Sequence, residues 1–226
     1  MVTSNTTIID FGLGNLHNIL RAARLYSDDV SLSSDPDEIA SAKALILPGV
    51  GAFQPAMANL ENAGLIEPIR AAAAAGTPIL GICLGMQLLM TESEENGLCK
   101  GLDIVSGEVR HMQPPGAAGA SYKVPHIGWN SVVHRGGRPE LDADTDPWTE
   151  TVLAGLEDEP VVYFLHSYVV VPERDEDNIA VTNYGRDRFC SVLQHGNVYG
   201  CQFHPERSGR VGLRIIENFL SHVPSA

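Results

Sequence analysis

The chain is short of several features that would each have placed it in a class. Basic residues are few: 15 Lys and Arg against 28 Asp and Glu give a formal charge of −13. That balance repels phosphate backbones and excludes general nucleic-acid binding. No apolar run reaches membrane-spanning length, although 44% of the 226 residues are hydrophobic, so no membrane association is expected. The opening stretch Met1-Val2-Thr3-Ser4-Asn5-Thr6-Thr7 has neither a basic region nor a long apolar core. No secretory leader is expected there, and the cytoplasm is the expected location.

Cysteine is scarce too. The four are Cys83, Cys99, Cys190 and Cys201, with no CxxC pair and no zinc-ligand spacing. A metal site is therefore not expected, nor, in a reducing compartment, a disulfide framework. Cys190 and Cys201 fall in apolar strand-like segments and Cys99 in a loop, and these three read as structural thiols. Internal repeats and domain-length linkers are also missing. One α/β domain over residues 1–226 is expected.

What is present is organised around Pro78-Ile79-Leu80-Gly81-Ile82-Cys83-Leu84-Gly85-Met86-Gln87-Leu88-Leu89-Met90. An apolar run of strand length leads into residues at helical spacing, with a cysteine flanked by glycine two places to either side. This is the strand, tight turn and helix of a nucleophile elbow, with cysteine in place of serine. Glycines are needed where side chains would crowd a strained bend. The bend puts the sulfur at a helix N-terminus, where partial positive charge favours thiolate.

Before the elbow, strands alternate with helices. Strands are expected at residues 6–10, 30–33, 44–47 and 78–81, and helices at 16–26, 36–42, 53–62 and 65–75. Such alternation signals a mostly parallel sheet covered on both faces. The turn Asp10-Phe11-Gly12-Leu13-Gly14-Asn15 lacks the third glycine of a dinucleotide fingerprint, because position 17 is His17. After Gly97 the texture changes to short strands at 104–109, 127–133, 161–164, 168–171, 179–182, 191–194 and 198–202, part of them antiparallel and appended, before a last helix at 211–220. Residues 113–120 and 135–151 read as surface loops that bury little.

A thiol nucleophile needs a base, and the base needs an orienting group. Most of the eight histidines stand alone, but Gln202-Phe203-His204-Pro205-Glu206 ends a strand with a histidine and a carboxylate two residues on. In extended backbone, positions i and i+2 face the same way, which would lay Glu206 beside the ring of His204. A third strand ends in Pro48-Gly49-Val50-Gly51, whose free N–H groups could join that of Leu84 as donors to an oxyanion. All three segments fall at carboxyl ends of strands, the edge that hosts ligands in open α/β sheets.

With these residues in view the chain resembles the triad-type glutamine amidotransferases. The resemblance is carried by the Gly-x-Cys-x-Gly-x-Gln elbow and the later His-Pro-Glu. Further matches are Leu47-Pro48-Gly49-Val50-Gly51, Pro125-His126-Ile127-Gly128-Trp129-Asn130, Leu165-His166-Ser167-Tyr168 and Gln202 to Gly209. In order and spacing they are similar to the glutaminase subunits of imidazole glycerol phosphate synthases, with Pro125 to Asn130 the most discriminating stretch.

The resemblance implies a flavodoxin-like α/β fold: a mostly parallel open sheet, helices on both faces, and an appended antiparallel region. It implies that Cys83, His204 and Glu206 form a triad that hydrolyses glutamine to glutamate and ammonia. Gly49, Val50, Gly51 and Leu84 would shape the oxyanion hole. Gln87 and Glu95 would bind glutamine, Glu95 through its α-amino group, and His166, Ser167 and Tyr168 would hold its α-carboxylate. The implied partner, a (β/α)₈ barrel, is the cyclase that uses the ammonia to make imidazole glycerol phosphate and AICAR in histidine biosynthesis. Asn15, Trp129 and Asn130 would lie at that interface; a core position is the alternative for Trp129. No metal or organic cofactor is implied.

The chain departs from the family pattern at Arg207, where lysine is more frequent, and at Phe11, where tyrosine is. Three other readings compete. Another amidotransferase glutaminase is disfavoured by Pro125 to Asn130. A cysteine variant of the α/β-hydrolases would place the acid before the histidine. A non-catalytic scaffold would not need the intact triad.

Overall fold

The structure, a computed structural model, describes residues 5–113, 122–137 and 146–221. In chain order the first half runs β1 (Thr6–Ile9), α1 (Leu16–Ala23), β2 (Val30–Ser33), α2 (Pro36–Ser41), β3 (Ala44–Leu47), α3 (Phe53–Asn62), α4 (Ile66–Ala74), β4 (Ile79–Ile82) and α5 (Leu84–Leu88). The second half runs β5 (Met90–Ser93), β6 (Cys99–Lys100), β7 (Val105–His111), β8 (His126–Ser131), β9 (Val133–His134), β10 (Val161–His166), β11 (Tyr168–Pro172), β12 (Asn178–Tyr184), β13 (Asp187–His195), β14 (Val198–Cys201) and α6 (Gly209–Ser221).

Eight strands form one sheet in the order β2-β1-β3-β4-β14-β13-β12-β9. The pairs from β2 to β14 are parallel, and those beyond β14 antiparallel. The appended antiparallel region is thus partly an extension of the main sheet. The rest forms two smaller sheets, β10-β8 and β11-β7-β5-β6.

Residues in the parallel strands alternate between two cores, as the period of two requires. Ile8, Ile46 and Leu80 pack with Ile19 and Ala23 of α1 and Ile215, Ile216 and Phe219 of α6. Ile9, Leu45, Leu47 and Ile79 pack on the opposite face with Ile39 of α2, Phe53 and Leu60 of α3, and Ile69 of α4. Helices therefore cover both faces, and the central strands β3 and β4 are apolar throughout because neither side meets water. Local signals set the helix ends. Asp35 accepts the N–H of Asp37 at 2.8 Å with Pro36 at the first helical position.

Several expectations are corrected. α1 stops at Ala23 rather than residue 26. The helix after the elbow ends at Leu88, and Met90 starts β5, so that apolar run serves two elements. Cys99 lies in the two-residue strand β6, not in a loop. Of the two expected surface loops, residues 114–120 and 138–145 lie outside the described residues. Most of the remainder of the second one is exposed or half-buried, as a surface loop should be, but one residue is not. Trp148 is fully buried and donates from its indole N–H to the Glu157 carbonyl at 3.0 Å. Asp146 organises the turn by accepting the N–H groups of Trp148 and Gly155. A single large aromatic in a polar stretch is enough to draw the segment into the core.

Candidate active site

Cys83 occupies the bend between β4 and α5 at φ 54° and ψ −110°. A non-glycine residue rarely adopts positive φ, and the surroundings hold it there. Its N–H donates to the Cys201 carbonyl at 2.7 Å, and its own carbonyl accepts from the N–H of Gln87 at 3.2 Å. The flanking glycines are demanded by close approach. A Cβ on Gly85 would lie 1.8 Å from the Leu47 carbonyl oxygen, and one on Gly81 2.8 Å from the Met86 backbone. One on Gly49 would meet Leu84 at 2.9 Å, so the Pro48 to Gly51 turn is seated directly against the elbow.

Parallel pairing of β4 with β14 aligns Ile82 with Cys201, which carries Gln202 and His204 past the end of β14 to the sulfur. Nδ1 of His204 lies 3.0 Å from Oε1 of Glu206, and both side chains are essentially excluded from solvent. The contact does not arise from extended backbone as the sequence pattern suggests. Pro205–Arg207 form a 3₁₀ turn, which brings the carboxylate back to the ring. Two contacts clamp this turn. A Cβ on Gly212 of α6 would fall 1.8 Å from the Pro205 carbonyl oxygen. The Ser208 hydroxyl donates to the His204 carbonyl at 2.7 Å and accepts the Tyr163 N–H at 3.0 Å.

Asn15 approaches the same carboxylate. Its Nδ2 lies 3.5 Å from Oε1 of Glu206. Oε2 of Glu206 and Nε2 of His204 are buried with no hydrogen-bond partner among the described residues. Burial opposes charge on His204, but the neighbouring Cys83 sulfur and the hydrogen-bonded Glu206 carboxylate outweigh it and raise its pKa to about 10. The Cys83 sulfur lies 3.7 Å from the Leu165 carbonyl and 3.8 Å from Nε2 of Gln202.

The sulfur opens on a cleft of about 230 Å³ lined by Cys83, His204 and eight of the nine expected substrate residues: Val50, Gly51, Leu84, Gln87, Glu95, His166, Ser167 and Tyr168. Gly49 lies behind it, against Leu84. Pro125 and Leu165 also line the cleft, and no sequence signal singles them out as substrate contacts. Oε2 of Glu95 accepts the Phe53 N–H at 2.7 Å, at the start of α3, so one oxygen of that carboxylate is committed to the scaffold. Gln87 is buried, and its Nε2 donates to the Tyr168 carbonyl at 3.0 Å and to Oε1 of Gln202 at 3.2 Å.

Two histidines that stand apart in the sequence are paired in space. The antiparallel register of β8 and β10 sets His126 opposite His166, with Nδ1 of the first 3.2 Å from Nε2 of the second. His166 Nδ1 reaches the Tyr168 carbonyl at 2.9 Å. Nδ2 of Asn130 approaches Nε2 of His126 at 3.5 Å and donates to the Asn183 carbonyl at 3.1 Å. The register that joins these rings is not visible in either motif alone. Trp129 is not a core residue: it is 58% exposed. It shares a face with Tyr163, its partner on the antiparallel strand β10. Ile127 and Leu165, both exposed, stand opposite each other on the same pair of strands. Among the described residues no group of three or more His, Cys, Asp or Glu is placed to hold a metal ion.

Comparison with known proteins follows the same pattern. The chain matches the family described as glutamine amidotransferase class-I over residues 7–223. It is 42% identical over 217 residues to the imidazole glycerol phosphate synthase subunit HisH 1 of Legionella pneumophila (strain Paris), covering 96% of this chain and 99% of that one. It is 45% identical to the imidazole glycerol phosphate synthase subunit HisH of Geobacillus sp. (strain WCH70), covering 95% of each chain. Among solved structures, a glutamine amidotransferase superposes with a TM-score of 0.67 at 17% identity, covering 96% of this chain and 97% of that one. That likeness speaks for the fold.

Proposed function

The chain belongs to the class-I glutamine amidotransferases, and on that premise we propose that residues 1–226 form one glutaminase domain in which Cys83, His204 and Glu206 are the catalytic triad. It is a HisH-type subunit of imidazole glycerol phosphate synthase. It hydrolyses glutamine to glutamate and ammonia and passes the ammonia to the cyclase, which makes imidazole glycerol phosphate and AICAR in histidine biosynthesis.

The observation that carries the residue assignment is the cleft in which Cys83 and His204 meet, with Glu206 held against the far nitrogen of the ring. His204 carries the proton that the Cys83 thiol gives up, and the thiolate attacks the side-chain amide carbon of glutamine. The oxygen gains negative charge, and the N–H groups of Leu84 and of the Gly49-Val50-Gly51 turn stabilise it. Each such donor is worth about 2.7–4 kcal/mol. As the C–N bond breaks, the imidazolium gives its proton to the departing nitrogen, and ammonia leaves a thioester on Cys83. Neutral His204 then takes a proton from water, whose oxygen attacks the thioester. Glutamate departs and the thiol is restored. Glu206 fixes the imidazole tautomer and favours its charged form.

Substrate contacts follow from the lining. With its nitrogen committed to Tyr168 and Gln202, Gln87 offers its amide oxygen. Glu95 offers its second carboxylate oxygen to the α-amino group. The backbone from His166 to Tyr168 receives the α-carboxylate.

The cyclase partner is taken to be a (β/α)₈ barrel docking over Ile127, Trp129 and Leu165, apolar side chains exposed beside the cleft mouth; patches of this kind mark association surfaces. Asn15 and Asn130 would lie along the ammonia path. Val50, 37% exposed at the cleft, would present or withdraw its peptide N–H when the partner binds. No helix among the described residues is long and apolar enough to cross a membrane, and a cytoplasmic setting suits the pathway.

Replacement of Cys83 by alanine tests the reading in the assembled complex. Glutamine-dependent synthesis should disappear while synthesis from added ammonia continues. Glutamine turnover that survives Cys83→Ala would refute the nucleophile assignment.

A further inference from the structure

Gln202 is fully buried directly before the Phe203-His204 pair, and the triad chemistry gives it no role. Its side-chain orientation is nevertheless forced. A backbone carbonyl can only accept, so whichever end of the Gln87 amide faces the Tyr168 carbonyl must be the nitrogen. The second hydrogen of that nitrogen points to Gln202, which must present its oxygen in return. The Gln202 nitrogen is thereby turned to the Cys83 sulfur at 3.8 Å. Two backbone hydrogen bonds fix the same region: the Gln202 N–H donates to the Ser191 carbonyl at 2.9 Å, and the Cys83 N–H to the Cys201 carbonyl at 2.7 Å.

The sulfur therefore lies between a donor and an acceptor. The Leu165 carbonyl, 3.7 Å away, can take the thiol hydrogen and repels negative charge. The Gln202 N–H does the opposite, because a donor bonds a thiolate more strongly than a thiol. We propose that Gln202 is a positioning residue for the reaction. Its amide, oriented through Gln87 by the Tyr168 carbonyl, holds the Cys83 sulfur in place as negative charge develops on it. This rests on the nucleophile assignment above. It adds a donor to sulfur, distinct from the donors to the substrate oxygen.

The test is the rate at which iodoacetamide alkylates Cys83 across pH in the full chain, read from the mass of the Cys83 peptide. Gln202→Leu removes the donor, and Gln202→Glu replaces it with an acceptor of the same size. Alkylation at pH 7 should slow by about fivefold to tenfold in Gln202→Leu and further in Gln202→Glu, with the half-maximal pH moved upward in the same order. In the complex, kcat for glutamine should fall while KM is unchanged, which a general loosening of the cleft would not produce. Alkylation profiles that coincide with the unmodified chain would overturn the proposal.

Should either variant fail to fold, the unmodified chain carried through the same pH range with ¹⁵N-labelled glutamine side chains decides the matter. The Gln202 amide signal should shift with the same midpoint as alkylation, and an invariant signal overturns the proposal. Alkylation does not require glutamine turnover, so a failure here and a failure of the glutaminase reading are separate outcomes.

Discussion

Nδ1 of His126 donates to Nε2 of His166 across 3.2 Å inside the protein, and both rings are neutral. The direction is dictated from both ends. The Tyr168 carbonyl requires a hydrogen on Nδ1 of His166, which leaves its Nε2 as acceptor. At the other end, the Asn130 nitrogen requires Nε2 of His126 to accept. Stacking of His126 between Phe164 and Tyr184 completes an apolar sleeve around a directed chain of neutral hydrogen bonds. This pair underlies Tyr168, whose carbonyl also orients Gln87.

The pair sets an acid limit on stability. Burial lowers His126 to about 4 and His166 to about 3 from an ordinary value of 6.5. Their contribution is complete above 6.5, where both states are neutral, and is lost as pH falls towards 4 and then 3, because only the unfolded chain takes up the protons. At pH 5 the loss is about 2 kcal/mol per histidine relative to pH 7. His204 acts in the other direction. Its pKa is raised to about 10, so its contribution is complete below 6.5 and is lost as pH rises through 10. Urea unfolding at pH 5 and pH 7 checks the acid side. His126→Phe, which keeps the stacking, should show about half the dependence.

Glu206→Gln should lower kcat for glutamine by up to about 10⁴-fold in the complex, the loss seen when the orienting acid of an analogous triad becomes an amide. Ammonia-dependent synthesis should be unchanged. The amide keeps the size of the carboxylate, so the melting temperature separates a catalytic effect from a structural one. Equal losses with glutamine and with ammonia would contradict the assignment.

Glycines at the site should divide into two kinds. Gly85→Ala drives a methyl into the Leu47 carbonyl, with 1.8 Å between the two atoms, and no flexible side chain can yield, so the elbow should not form and little folded protein should be recovered. Gly51→Ala meets nothing within 4 Å but imposes a φ of +107° on a side chain, a strain of about 1–3 kcal/mol. It should fold with a lowered melting temperature and turn glutamine over more slowly than that loss explains.

Trp129→Ala should leave the isolated chain's stability within about 0.5 kcal/mol, as expected for an exposed site, while weakening cyclase binding at least tenfold, as a central aromatic anchor does. Thermal unfolding of the isolated chain reads the first quantity, and calorimetric titration with the cyclase reads the second. Unaltered affinity would move the docking surface away from the β8–β10 strand pair.

Much of the site is legible in the sequence because its parts are local. The Gly81 to Gly85 bend, the Pro48 to Gly51 turn and the His204 to Glu206 step are each defined by adjacent residues whose backbone demands are strong. Trp148 escapes a reading along the chain because polar neighbours surround it there while apolar ones surround it in space. The end of the helix after the elbow is equally hidden, since apolar residues at 88–90 satisfy a helix end and a strand start alike.

By itself the sequence determined the alternation of strand and helix, the strained cysteine and the order in which sulfur, imidazole and carboxylate occur. These depend on φ/ψ limits and on apolar periods that act over a few residues. Only the tertiary structure decided that β14 lies beside β4, that a 3₁₀ turn rather than extended chain brings Glu206 to His204, and that His126 meets His166. Those choices are made by strand order and register, where segments many residues apart compete for the same partners and packing of the whole sheet selects among them.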